Sequence, residues 1–196
     1  MRPAYLTGER IYLRAMLASD AEQATAWSCG PFPINASRAE AVLKETHRQA
    51  WGGADPLHLA IVRLPAAGAR DGGAGPEHED PAEEIVGGAE LAEPRGRRGR
   101  LALRFAPSLS ADEADSLRAE ALGIVVPWAR DELELMTVTI QIPADGRATI
   151  AAADALGMIR AVRLREAVLR PGHRVDLFYY QALNPRWAVG PGDSER

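Results

Sequence analysis

Cysteine and lysine are almost missing from this chain of 196 residues, which has one of each, Cys29 and Lys44. A single cysteine cannot form a disulfide within the chain, and the four histidines stand apart in sequence, so no spacing typical of a zinc site occurs. We therefore predict no bound metal and a reducing, cytoplasmic environment.

Long apolar runs and an excess of positive charge are missing as well. No run reaches the roughly 18 residues of a membrane-spanning helix, and no signal peptide is evident, so we predict no membrane partner. The formal net charge is −4 at pH 7. Because nucleic-acid binding needs a strongly basic face, we also predict no nucleic-acid partner. A G-x-S-x-G elbow and a P-loop are absent, which argues against hydrolases and NTPases built on those motifs.

Strand and helix patterns alternate along the chain. Seven segments have the pattern of strands: 10–16, 57–64, 83–91, 101–107, 135–142, 160–169 and 174–183. Four have the pattern of helices: about 19–27, 37–51, 111–133 and 147–156, the first two opened by Ser-x-x-Glu capping pairs at Ser19 and Ser37 and the last ended by Gly157.

This order predicts an α/β or α+β fold with one mixed sheet of about seven strands and helices on both faces. We expect a single domain over residues 1–196. A mobile surface loop is expected at 65–82, where Gly, Ala, Pro and Asp dominate and apolar periodicity is lost.

The segment SADEADSLRAEALG, residues 110–123, opens the third helix with several acids. Ser110 and Glu113 form another capping pair, and Asp112, Glu113 and Asp115 favour the positive N-terminus of a helix. Helix capping therefore explains this whole segment without a ligand.

Three blocks along the chain resemble the GCN5-related N-acetyltransferase (GNAT) superfamily, most closely its ribosomal-protein N-terminal acetyltransferase branch. They are LTGERIYLRAM, PADGRATIAAADALGM and LREAVLRPGHRVDLFYYQALNPRW. The resemblance implies the GNAT fold and the transfer of an acetyl group from acetyl-CoA to an amine, either a protein or peptide N-terminus or a small molecule.

The resemblance also implies where acetyl-CoA would bind. In the family, a glycine-rich loop before the third helix presents backbone N–H groups to the pyrophosphate. Counting back from the Glu-Ala-Leu at 120–122, the two glycine positions fall on Ala114 and Ser116, and the thioester carbonyl would be held near Phe105. The cofactor-binding residues implied are Phe105, Ala114, Ser116, Leu117, Arg118 and Thr149.

The acids of the same loop oppose this role. A carboxylate about 6 Å from a phosphate charge repels it by roughly 0.7 kcal/mol in water and by about 3 kcal/mol at an effective dielectric constant near 20. Two interpretations therefore stay open. The loop is divergent but still binds acetyl-CoA, or it only caps its helix in a protein that keeps the fold as a binding or dimerisation module.

The catalytic residues of the family are not found at their usual positions. The glutamate that often serves as the base falls on Arg100, and the tyrosine acid of some branches falls on or near Ala153. We take Glu90 as the candidate base, with a solvated strand-end carboxylate as the alternative. Thr149 could meet the pantetheine arm or cap its helix.

The acceptor side is predicted only in outline. Tyr179 and Tyr180 could line the acceptor groove, although adjacent strand residues face opposite sides, so that one should be core and the other surface. The segment RGRRGR, residues 95–100, could dock a phosphate, an RNA backbone or an acidic peptide, or be a solvated turn. The terminal hairpin indicates a surface able to pair, and we expect a homodimer.

Overall fold

The computed structural model of the chain describes residues 5–28, 34–50, 56–65, 83–93 and 97–187. The mobile loop predicted at 65–82 lies, apart from Pro65, outside these residues, as does Cys29.

Eight strands and four α-helices are found in the described residues. The strands are β1 (Leu6–Thr7), β2 (Ile11–Ala15), β3 (Leu57–Arg63), β4 (Ile85–Ala92), β5 (Arg98–Phe105), β6 (Thr137–Pro143), β7 (Ile159–Arg170) and β8 (His173–Leu183). The helices are α1 (Ala24–Trp27), α2 (Ala36–Ala50), α3 (Ala111–Asp131) and α4 (Arg147–Ala155), with 3-10 turns at Ala18–Gln23 and Pro185–Trp187. The predicted mixed sheet with helices is confirmed, and it gains β1, a strand of two residues that is too short to show alternation.

The strands form one sheet in the order β1-β2-β3-β4-β5-β6-β8-β7. All neighbours are antiparallel except β5 and β6, which run parallel with α3 as the crossover between them. These two strands pair only as far as Leu101 and Ile140. Beyond that point β5 continues to Phe105 along β4, and β6 continues to Pro143 along β8. The two central strands therefore separate, and we call the gap between residues 102–105 and 141–143 the splay.

Apolar residues fill both sides of the sheet. On one side α3 and α4 cover a core that includes Leu122, Val125, Ile140 and Tyr180, all at most 3% exposed. On the other side the elements before β3 cover a smaller core over β2, β3 and the start of β4. We call this second side of the sheet the α1 face.

Buried charged side chains hold the 3-10 turn at Ala18–Gln23 against the α1 face of the sheet. Arg14 and Asp20 are each 2% exposed and form a bidentate pair with distances of 2.8 and 2.9 Å. Glu83 accepts from the Arg14 Nε at 2.9 Å and from the Tyr12 hydroxyl at 2.6 Å. Because such charges are costly to bury alone, each depends on its partners.

The N-terminal caps differ from those predicted for the first two helical segments. Asn35, rather than Ser37, caps α2 by accepting the N–H of Arg38 at 2.8 Å. Ser19, the cap predicted for the first segment, lies inside the 3-10 turn. The turn begins after Leu17, whose N–H is accepted by the carboxylate of Asp20 at 2.7 Å. The cap of α3 is as predicted, since the Ser110 hydroxyl accepts the N–H of Glu113 at 3.2 Å.

Two glycines serve distinct local needs. Gly157 ends α4 with a φ of 69°, the left-handed conformation predicted for it. Gly88 allows α1 to lie directly on β4, because a Cβ at this position would stand 2.7 Å from the carbonyl oxygen of Trp27. The contact brings the end of α1 to within two residues of Glu90 on the same strand.

Candidate active site

The splay exposes backbone groups of β5. The N–H of Ala106 donates to the carbonyl oxygen of Val86 on β4 at 2.8 Å, so every second N–H group along β5 points toward β4. Because N–H groups alternate along a strand, those of Leu103 and Phe105 point the other way, into the splay. Pairing with β6 ends before these residues, which leaves their amides without a partner on that strand.

Phe105 and Arg118 lie together beside the splay, on the side of α3. The guanidinium carbon of Arg118 is 5.3 Å from the centroid of the Phe105 ring, a cation–π contact. Burial is the main cause that lowers the pKa of Arg118, and the nearby charges of Arg170 and Arg104 act in the same direction. Arg118 also lies 3.9 Å from the Asp115 carboxylate and Arg170 pairs with Asp145 at 2.6 Å, so the positive groups beside the splay are partly balanced by acids.

The N-terminus of α3 opens next to this gap. Backbone N–H groups in the first turn of a helix have no acceptor within the helix, and they carry partial positive charge. Here the Ser110 hydroxyl satisfies only that of Glu113.

The acids of this segment mostly point elsewhere. Glu113 binds Arg63 on β3 at 2.8 Å, and Glu120 binds the Nε of Arg10 at 2.9 Å and its backbone N–H at 2.8 Å. Asp112 alone is exposed and makes no ion pair within the described part of the chain. The repulsion expected from the sequence is thus reduced, because two of the acids are neutralised by arginines.

Asp115 is directed onto the N-terminus of α4. Its carboxylate accepts the N–H of Ala148 at 2.7 Å and the hydroxyl of Thr149 at 2.6 Å. Residue 146, directly before the helix, is a glycine and has no side chain for this purpose. A Cβ on Gly146 would stand 3.1 Å from Asp115 Oδ1, so the carboxylate occupies the space in which a conventional cap would lie. Asp115 therefore caps a helix that begins about thirty residues later.

The residues implied for cofactor binding lie in different environments, and only some of them are beside the splay. Phe105 and Arg118 are beside the splay, and Ala114 is half-buried at the end of the first turn of α3. Leu117 is 1% exposed in the core and Thr149 is fully buried against Asp115. The hydroxyl of Ser116 accepts from Arg10 at 3.0 Å.

The candidate base Glu90 lies on the α1 face at the start of the splay. In the strand register it is opposite His58 on one side and Ala102 on the other, and Ala102 is the first β5 residue after pairing with β6 ends. Directly opposite residues have Cβ atoms about 4.5–5.5 Å apart. His58 is half-buried, and burial lowers its pKa although the Glu90 carboxylate opposes the shift. The sequence offered no sign of this neighbour, because the pairing of His58 with Glu90 depends on the register of β3 with β4.

The two adjacent tyrosines face opposite sides, as the alternation predicts. Tyr180 is fully buried, and its hydroxyl accepts from the Arg160 Nη2 at 2.8 Å. Tyr179 is half-buried on the α1 face, where its hydroxyl accepts from the Gln141 side chain at 2.8 Å. Tyr179 is thus the one of the pair that lies on the same side as Glu90. Among the described residues, no three His, Cys, Asp or Glu side chains converge as metal ligands would.

The structure is similar to solved acetyltransferases over nearly its whole length. A Sphaerobacter thermophilus protein assigned as an acetyltransferase is 42% identical, with a TM-score of 0.64, and the match covers 93% of this chain and 99% of that one. A GNAT-family acetyltransferase from Bacillus anthracis is 12% identical with a TM-score of 0.56, over 91% of this chain and 98% of that one. A Vibrio cholerae protein assigned as a ribosomal-protein-serine acetyltransferase is 16% identical with a TM-score of 0.56, over 93% and 99%.

The level of identity decides what each likeness shows. The two distant matches show the fold alone, whereas 42% identity over nearly all of both chains shows the family. The chain belongs to the GNAT family of acetyltransferases, as the three sequence blocks predicted. No family model and no curated protein matches the sequence. Within the described residues, no helix has the length and apolar character needed to cross a membrane.

Proposed function

We propose that the protein transfers an acetyl group from acetyl-CoA to the primary amine of a peptide N-terminus or a small molecule. The observation that carries this proposal is the arrangement at the splay. The N–H groups of Leu103 and Phe105 are free of β6, and Asp115, which would oppose a phosphate, is bound to α4 instead.

The residues beside the splay suit acetyl-CoA chemically. The first-turn amides of α3 and the Arg118 guanidinium offer positive potential to phosphate groups, and the Phe105 ring offers an apolar surface. Acetyl-CoA supplies the acetyl thioester, whose carbonyl oxygen gains negative charge when an amine attacks. The N–H groups of Leu103 and Phe105 would stabilise that charge, since amides fixed in a strand need no reorganisation.

Glu90 lies on the α1 face, opposite to the side of Phe105 and Arg118, and would accept the proton that the amine loses. An amine must lose a proton before or during attack, and a carboxylate can accept it directly or through water. As the new N–C bond forms and the C–S bond breaks, the proton leaves the nitrogen for Glu90 and the sulfur departs as a thiolate. His58, opposite Glu90, is a second possible acceptor because its lowered pKa favours the neutral ring.

Titration calorimetry with acetyl-CoA and with CoA, at low and then at higher salt, tests the cofactor. We expect measurable binding that weakens with salt. Asp112→Asn should strengthen it several-fold, because this variant removes the one exposed acid in the first turn of α3. The matched control is Asp131→Asn at the other end of the helix, which should leave the affinity unchanged. No binding up to millimolar acetyl-CoA would refute the proposal and favour a module that keeps only the fold.

We further propose that two copies pair through β7. This strand ends the sheet, so one edge of its backbone has no neighbouring strand in the described residues. Four aliphatic side chains on β7 and β8 are between 41% and 54% exposed: Ile159, Val162, Leu164 and Leu183. A second copy related by a twofold axis would cover both features. Light scattering that gives a mass near 21.1 kDa would refute the dimer.

A further inference from the structure

Three arginines stand on one side of β5. Arg98, Arg100 and Arg104 are exposed, whereas Gly99, Leu101 and Leu103 between them are buried. The alternation places the three guanidinium groups on the α1 face, the same face as Glu90. We call these three residues the arginine row.

The arginine row is not neutralised by the described part of the chain. Arg98, Arg100 and Arg104 make no ion pair or side-chain hydrogen bond with any described residue, in contrast to most other arginines of the structure. Those that bind an acid are Arg10, Arg14, Arg63, Arg118, Arg130, Arg163, Arg170 and Arg186. Three free cations on one strand are therefore a local departure from a chain whose net charge is negative.

The surroundings of the row are polar but almost without acids. The neighbouring strands present Thr137, Thr139 and Gln141 from β6 and Gln181 from β8 on the same face. Glu90 is the only acid that the described residues of β3 to β6 and β8 place there. An anion approaching this face would meet attraction from the arginines and hydrogen-bonding groups around them.

The spacing of the row favours an extended chain as the occupant. Arg98 and Arg100 are two residues apart, which is about 6.7 Å along a strand, and Arg98 is about 13 Å from Ala102 beside Glu90. The same rise applies to an extended peptide, so an amine near Glu90 leaves the next few residues of the peptide over Arg100 and Arg98. A free amino acid is too short to reach both, and a polyamine would be repelled.

We propose, on the basis of the acetyl-transfer function above, that the acceptor is a peptide N-terminus with acidic side chains among its second to fifth residues. Arg100 and Arg98 bind these carboxylates and hold the terminal amine beside Glu90. Arg104, on the other side of Ala102, adds to the positive potential near the splay. The arginines determine specificity, and Glu90 carries the proton.

Direct peptide binding tests this proposal without acetyl-CoA. Fluorescence anisotropy would compare labelled hexapeptides with the N-terminal sequences Ser-Glu-Asp-Glu, Ser-Gln-Asn-Gln and Ser-Lys-Arg-Lys, the label being at the C-terminus. We expect at least tenfold tighter binding of the acidic peptide at low salt, decreasing as salt is added. The double substitution R98Q/R100Q should remove this preference, whereas Arg165→Gln, an exposed arginine on β7, should leave it intact.

The outcomes separate this proposal from the proposed function. Equal binding of the three peptides, or an unchanged preference in R98Q/R100Q with its native circular dichroism spectrum, overturns the acidic-peptide proposal while acetyl-CoA binding can still stand. Tighter binding of a hexanucleotide RNA than of the acidic peptide also overturns it. If the acidic preference is found and acetyl-CoA does not bind, the arginine row is a peptide site and the enzymatic function fails. When both bind, acetylation of the acidic peptide should show a KM that rises in R98Q/R100Q with kcat little changed.

Discussion

The carboxylate of Asp115 on α3 accepts the hydroxyl of Thr149 on α4 at 2.6 Å, and Thr149 is fully buried. The same carboxylate accepts the N–H of Ala148 at 2.7 Å. Asp115 is thus a helix cap, and its negative charge is directed at the positive end of α4.

Replacing Asp115 by alanine should destabilise the fold. The substitution removes the cap of α4, which is worth about 1 kcal/mol. It also leaves the buried Thr149 hydroxyl with only its longer bond, 3.3 Å, to the backbone carbonyl oxygen of residue 115, and losing the bond to the carboxylate costs about 1–2 kcal/mol more. Urea unfolding should therefore show a loss of about 2–3 kcal/mol. Asp112→Ala is the matched control in the same helix, and because Asp112 is exposed it should change stability by less than about 0.5 kcal/mol. Similar losses in the two variants would contradict the capping role.

Moving the cap to residue 146 should rescue the first of these variants. Gly146→Asn alone is expected to destabilise the protein, since its Cβ would stand 3.1 Å from Asp115 Oδ1. In the Asp115→Ala background that oxygen is gone, and the close backbone contact that remains is the Pro143 carbonyl oxygen at 3.2 Å. Because asparagine is among the best N-cap residues, up to about 1 kcal/mol should be regained. The quantity to determine is the coupling energy of the double-mutant cycle. A value near zero would show that the two positions act independently.

Glu90→Gln should slow acetyl transfer without weakening acetyl-CoA. The amide cannot accept a proton, and loss of a general base typically lowers kcat by about 10²–10⁴-fold. The affinity for acetyl-CoA, determined by calorimetry, should change little because Glu90 lies on the α1 face of the sheet, whereas Phe105 and Arg118, which we propose to bind the cofactor, lie on the side of α3. Glu132→Gln, an exposed position just after α3, serves as the control. If Glu90→Gln keeps full activity, Glu90 is not the general base, and His58 or water accepts the proton instead.

His58 should make the stability of the protein depend on pH below neutrality. Burial lowers its pKa in the folded chain, whereas in the unfolded chain it titrates near 6.5. Between these two values the unfolded chain binds more protons, so stability is full above about pH 6.5 and falls as the pH drops through the folded pKa. His58→Gln should lose less stability than the native protein between about pH 7.5 and pH 5. A His58→Gln variant whose stability follows that of the native protein over this range would disprove the assignment.

The fold could be predicted because its signals are local. The alternation of β6, the helical run of α3, and the glycine that ends α4 each lie within a few neighbouring residues, and each predicted element is present within a few residues of its expected bounds. The short strand β1 was not predicted, and the helix expected at 19–27 is a 3-10 turn followed by the four residues of α1; the other errors lie at the ends of elements. The strand β5 was expected from Leu101 but begins at Arg98, since a segment of arginine and glycine carries turn signals as strong as its alternation.

The candidate site depends on contacts that are distant in sequence. Asp115 meets Ala148, and Glu120 meets Arg10, so the sequence of the loop alone overstates the negative charge that a phosphate would encounter. The sequence does contain one sign of the contact between Asp115 and α4. The helix begins after Gly146, which has no capping side chain, so its cap must come from elsewhere in the chain. The arginine row could not be predicted for the same reason that the start of β5 was misplaced, because only a strand that includes Arg98 and Arg100 puts them on one face.

The capping of α4 by a residue of α3 has a consequence for the evolution of the family. Whether an acid at position 115 is tolerated depends on the residue at position 146, because the carboxylate and a side chain at 146 compete for the same space. The two positions should therefore change together among descendants of a common ancestor, with an acid at 115 accompanied by glycine at 146 and a small residue at 115 accompanied by a capping side chain at 146. In this chain the carboxylate of Asp115 on α3 provides the cap that a side chain at position 146 would otherwise supply to α4, so the loop before α3 is read correctly only together with position 146.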